Sequence, residues 1–147
     1  MFTKNLLAAG LAVAVGCVLA GCGGAASPAD PPPASLRAIP GSPVKEVLLT
    51  AQAEQRLGIV TQPVRAAAGP SGGREVIPYA AVVYDNDGST WTYVNITGRT
   101  FVRQPIVINA IQGSEAVLDR GPAVGAPVVT VGAPELLGTE YDISGEQ

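Results

Sequence analysis

The sequence predicts a mainly β fold: a small antiparallel sheet or partly open barrel with one short helix, set behind a signal peptide and a disordered Pro-rich tether. Three observations carry this. An apolar leader ends at a cysteine preceded by small residues, and residues 23–43 are dominated by Pro, Ala, Gly and Ser. From residue 44 onward, short β-branched runs are bounded by Gly, Pro, Asn or Asp, the punctuation of strands and turns.

The leader begins with Lys4 as a positive n-region and continues as a nearly pure apolar stretch of 15 residues from Leu6 to Ala20. That is signal-peptide length, short of the roughly 20 residues a transmembrane helix needs. It ends at Leu19-Ala20-Gly21-Cys22, a lipobox. Small residues fit a peptidase cleft, so cleavage is expected between Gly21 and Cys22. The Cys22 thiolate is the nearby nucleophile able to take a diacylglyceryl group as a thioether. The alternative is an ordinary signal peptide that leaves Cys22 as a free thiol. The expected division is residues 1–21 as lipoprotein signal peptide, 22–43 as flexible tether and 44–147 as one β-rich domain. Membrane lipid, reached through acylated Cys22, is thus the first expected partner. The expected location is the outer face of the cytoplasmic membrane in a monoderm, or a periplasm-facing membrane in a diderm.

Charge and composition narrow the function further. The chain has 9 basic and 12 acidic residues and no His. Loss of Lys4 with the leader leaves 8 basic residues and a net charge of −4, with no basic patch for nucleic acid. Cys17 departs with the leader and Cys22 carries lipid, so no disulfide is available to the mature chain. Without His or a free thiolate there is no nucleophile with an evident base and no ligand set for a soft metal. No catalytic residue, metal site or cofactor is therefore expected. Asp85-Asn86-Asp87-Gly88 resembles the start of a calcium loop, but its glycine comes fourth and Thr90 sixth, against the calcium-loop spacing. It reads as a hairpin turn. Asn95-Ile96-Thr97 reads as a chance match to the glycosylation sequon.

Along the domain, Val44 to Leu49 reads as a strand. Thr50 is the N-cap of a helix over Ala51 to Leu57, and Gly58 its terminator. Ile59 to Val64 is a second strand, followed by a break over Ala66 to Gly73. Further strands are expected at Glu75 to Asp85, Thr90 to Thr97, Arg99 to Ile111, Glu115 to Asp119 and Val128 to Val131. In the Thr90 strand, Thr92, Val94 and Ile96 share one face and Trp91, Tyr93 and Asn95 the other. Pro78 and Pro105 mark edges or bulges. Leu136 and Leu137 close the domain as a short turn of helix or an end cap. The aromatic residues Tyr79, Trp91, Tyr93 and Phe101 gather around the first hairpin, where they either pack the sheet or form a partner-facing patch.

Two stretches carry a family resemblance. Val47-Leu48-Leu49-Thr50, with Ala53-Glu54-Gln55-Arg56-Leu57-Gly58-Ile59-Val60-Thr61, resembles the opening of periplasmic adaptor subunits (membrane fusion proteins) of resistance-nodulation-division efflux pumps. A second set is similar to the adaptors' membrane-proximal domain: Val76-Ile77-Pro78-Tyr79-Ala80-Ala81-Val82-Val83, Trp91-Thr92-Tyr93-Val94, Phe101-Val102-Arg103, and the run from Gly121 to Ala133 with Leu136-Leu137. In the family a β-barrel, a lipoyl-like domain and usually a helical hairpin separate these stretches; here only Arg65 to Arg74 do. Ala126 and Pro127 stand where the family usually has an acidic or polar residue. The resemblance therefore implies the membrane-proximal domain alone, as a minimal or accessory adaptor of an efflux or export transporter. Its implied partner is an integral membrane protein. The competing expectation is a free-standing envelope lipoprotein with a structural or ligand-binding role.

Overall fold

The computed structural model describes residues 31–69 and 73–145. Gly21 and Cys22, with the rest of the expected signal peptide and the first part of the expected tether, lie outside the described residues. Eleven strands and two helices follow one another: β1 (Ala34–Ala38), β2 (Lys45–Leu49), α1 (Ala51–Leu57), β3 (Val60–Pro63), β4 (Arg65–Ala66), β5 (Glu75–Pro78), β6 (Val83–Tyr84), β7 (Thr90–Thr97), β8 (Thr100–Pro105), β9 (Val107–Gln112), β10 (Glu115–Arg120), β11 (Pro127–Val131) and α2 (Ala133–Gly145). A 3-10 turn over Tyr79–Ala81 separates β5 from β6. The fold is mainly β and antiparallel, as expected, and it is not a closed barrel. A seven-stranded sheet runs β1-β2-β8-β7-β11-β3, with β6 pairing β7; a four-stranded sheet runs β4-β5-β10-β9. Among the described residues no helix is long and apolar enough to cross a membrane.

Strand β7 explains the layering. Tyr93 belongs to one buried cluster with Val47, Phe101, Val129 and Leu136, where α1 and α2 cover the large sheet. Its neighbour Val94 belongs to a second, with Ile77, Leu118 and Val128, between the two sheets. Successive side chains of a strand point to opposite faces, so a strand buried on both sides serves two cores at once. Tyr93 and Val94 are 0% and 4% exposed. The alternation expected for β7 is what the packing uses.

Three expectations need correction. First, the tether was expected to extend to Pro43, yet β1 lies within it and pairs Ala34↔Leu49 through Ala38↔Lys45. The Pro33 carbonyl accepts the Thr50 amide at 2.9 Å, and Ala34 is buried. The ordered domain thus starts ahead of residue 44. Prolines surround β1 without interrupting its ladder, which is why composition hid it.

Second, two expected strands are each divided between the sheets. The Arg99–Ile111 run breaks after Pro105, which has no N–H to continue the ladder. Ile106, buried in the inter-sheet core, donates its amide to the Thr90 carbonyl at 3.0 Å and carries the chain to the second sheet. The Glu75–Asp85 run breaks at Pro78 in the same way, with the 3-10 turn as the crossing.

Third, the described residues hold two helices. Besides α1, the segment containing Leu136 and Leu137 is a 13-residue helix. Around α1 the caps follow expectation: Thr50 Oγ1 accepts the Ala53 amide at 3.1 Å, and Gly58 ends the helix in the left-handed conformation at φ 61°.

Candidate functional site

The register of β7 against β8 pairs Trp91 with Pro105, Tyr93 with Arg103, and Asn95 with Phe101. These residues all face the helices. An arginine on an otherwise apolar face demands partners, because a desolvated guanidinium is costly unless its charge and N–H groups are met. Arg103 finds them on two other elements. Its Nη1 donates to Asp85 Oδ2 at 2.7 Å, from the β6–β7 turn, and its Nε lies 3.2 Å from Glu140 Oε1 on α2. The latter contact is an ion pair without hydrogen-bond alignment, which leaves the Nε–H lacking an acceptor.

Aromatic groups complete the cluster. Tyr93 donates its hydroxyl to Glu140 Oε2 at 2.7 Å, and the Tyr141 hydroxyl donates to Asp85 Oδ1. The guanidinium carbon stands 4.7 Å from the Trp91 ring centre and 5.9 Å from that of Tyr141, cation–π distances. Trp91 Nε1 donates to Ser89 Oγ at 2.7 Å. Burial, then the hydrogen bond to Glu140, pushes the Tyr93 phenol well above its ordinary range. The Tyr141 hydroxyl, the Asn86 amide and Arg103 together hold the Asp85 carboxyl below its usual value. Burial works to lower the Arg103 pKa, but Glu140 and Asp85 outweigh it and the net shift is upward. A guanidinium between two carboxyl groups, with both phenols donating, fastens α2 to the sheet.

A second feature lies at the end of β5 where the chain leaves the four-stranded sheet. Gln62, Arg65, Tyr79, Ser114 and Glu115 line an open cleft of about 460 Å³. Arg65 on β4 and Glu115 on β10 flank β5 and form an ion pair across the mouth. The Tyr79 amide donates to the Ser114 carbonyl at 2.8 Å, which holds the 3-10 turn against the β9–β10 turn. Tyr79 is 39% and Tyr84 51% exposed, and their hydroxyls are 3.1 Å apart. That hydrogen bond is the main reason the Tyr84 phenol is raised above its ordinary value.

The four aromatic residues nominated as a partner contact therefore separate. Tyr93 and Phe101 are fully buried and fill the helix-side core, so they offer no surface to a partner. Trp91 is partly covered beneath Arg103. Tyr79 alone of the four is exposed, and it is joined by Tyr84. The Arg103 cluster was missed because Asp85 read as a turn residue, and Glu140 and Tyr141 lay beyond the last element expected. The available signal was Arg103 itself, a charge at an inward position of a strand.

Comparison of the chain with protein-family models, curated proteins and solved structures finds no match.

Proposed function

We propose that the chain is a lipid-anchored envelope protein, acylated at Cys22, whose two-sheet domain docks onto an integral membrane exporter as a minimal or accessory adaptor. The observation that supports docking is the Tyr79–Tyr84 pair: Tyr79 lines an open cleft, and its hydroxyl meets that of the also exposed Tyr84. Tyr is enriched at protein contacts because it offers a rigid apolar ring with a polar tip. The tether raises the effective concentration of the domain at its own membrane, so weak docking suffices. The resemblance to adaptor membrane-proximal domains supports the choice of partner.

The test is photocrosslinking in cells from Ala80 and Tyr84, with anchoring checked by the intact mass of the membrane-extracted protein. Diacylated Cys22 and a crosslinked membrane transporter are the expected results. An unmodified Cys22 removes the anchor from the reading. Crosslinks only to cell-wall material or soluble proteins, with the transporter present, favour a free-standing envelope lipoprotein.

A further inference from the structure

The two halves of α2 are held to the sheet by different forces. In the first half Ala133 and Leu136 are fully buried in the helix-side core, and the Leu136 amide donates to the Gly132 carbonyl at 3.0 Å. In the second half the buried residue is the polar Glu140, beside one half-buried apolar side chain, Ile143, on the same core. It is fixed by Tyr93 and Arg103, and its neighbour Tyr141 is fixed by Asp85.

Packing beneath this second half is incomplete. A groove of about 250 Å³ reaches Thr139 from Ala34, Leu49 and Leu57, and another of about 310 Å³ passes Thr139 to Ile143 beside Pro33. Gly138 stands between the halves, and a Cβ there would meet nothing within 4 Å. Glycine inside a helix weakens it by about 1 kcal/mol against alanine, and no close packing here explains its presence.

We propose that residues 139–145 form a latch that pivots at Gly138 and lifts from the sheet as a unit, uncovering Tyr93, with the Arg103 cluster as its fastening. Leu136 keeps the first half seated while the latch is open. The device opens at the aromatic face that the closed form hides. Local opening of this kind draws on segments with few buried apolar contacts, and residues 139–145 give the core one half-buried apolar side chain, Ile143, where the first half gives Ala133 and Leu136 fully buried.

Hydrogen exchange of the intact folded protein, read by mass spectrometry, tests this with two variants that act in opposite directions. Arg103→Met removes the fastening and leaves Asp85 and Glu140 facing one another. Gly138→Ala stiffens the pivot without a clash. Amides of residues 139–145 should exchange about tenfold or more faster in Arg103→Met, while those of β2, β7 and β11 keep their protection. In Gly138→Ala the same amides should exchange several-fold slower than in the unaltered protein. Should Arg103→Met fail to fold, Tyr141→Phe and Gly138→Ala supply the comparison. Equal exchange change in both halves of α2, acceleration spreading into the core strands, or no response to Gly138→Ala overturns the latch.

Discussion

Arg103 stands directly across the β7–β8 ladder from Tyr93, and both side chains reach the same carboxylate, that of Glu140 on α2. A cross-strand pair is thereby turned into a three-element junction. Removing any one member leaves the others buried with fewer partners, which is costlier than losing a contact in water.

Tyr93→Phe keeps the ring in the core and deletes only the hydroxyl. It should cost about 1–3 kcal/mol, the range for leaving a buried hydrogen-bond partner unsatisfied, measured by urea unfolding with an unchanged m-value. The variant should also alter the alkaline limb. Because the folded state holds the Tyr93 proton above the ordinary value of 10.0, its contribution is intact below that pH and lost as pH rises beyond it. Loss of stability above pH of about 10 should be shallower in Tyr93→Phe, with the part due to Tyr84 and Tyr141 remaining.

At the acid end the sign reverses. The folded Asp85 carboxyl titrates below its ordinary value of 3.8, so its contribution is present above that pH and disappears as pH falls through the lower folded value. Thermal midpoints of Asp85→Asn should fall less steeply below pH of about 4 than those of the unaltered protein. Asp87 and Asp119, also lowered, keep part of the slope in both. Parallel acid limbs would show that Asp85 is not linked to folding.

Thr92 is fully buried on the inter-sheet face of β7, and its Oγ1 finds no protein partner among the described residues. Thr92→Val has nearly the same shape and removes the desolvated hydroxyl. A gain of about 1 kcal/mol is expected, read from the denaturation midpoint. A loss would mean that the hydroxyl is satisfied in solution.

Gly132 precedes α2 at φ 88°, and a Cβ there would collide with Ile59 Cδ1. Gly132→Ala combines a disfavoured backbone with overpacking and should cost about 1–3 kcal/mol. The equivalent change at Gly138, where the backbone is ordinary and the space open, should stabilise the folded protein, so the two alanine variants shift in opposite directions.

A chain beginning at Val44 loses β1 and the Pro33–Thr50 hydrogen bond, whereas one beginning at Pro31 keeps both. The shorter form should be less stable by about 2–4 kcal/mol and be cleaved sooner by protease. Equal stability of the two would return β1 to the tether.

How far the sequence discloses the structure depends on whether the signal is local. The caps of α1 were legible because Thr50 and Gly58 act on their own neighbours, and β7 because its alternation is intact and Gly88 closes the turn before it. The divisions at Pro105 and Pro78 were only half legible: each proline announces that a ladder stops, but not that the chain passes to another sheet. Helix α2 was illegible beyond its leucines, since Gly138 and Thr139 are poor helix formers and tertiary contacts at Leu136 and Glu140 hold it. The exposed member of the aromatic set, Tyr79, could not be told from its buried companions, because burial depended on a 3-10 turn that strand periodicity does not announce.

Strand β3 is completed by β11, with Val60 paired to Val131 and a hydrogen bond from Thr130 Oγ1 to the Val60 carbonyl spanning 70 residues. The two stretches must find each other across most of the domain, and the entropy of closing that loop is spent before any contact rewards it. Such pairing places folding in the slow regime of non-local β topologies, on the order of milliseconds to seconds. A chain emerging N-terminus first holds β3 without β11, the strand that completes its ladder, until residue 131 has appeared. The final strand and the helix behind it therefore set the moment at which this domain becomes a folded object.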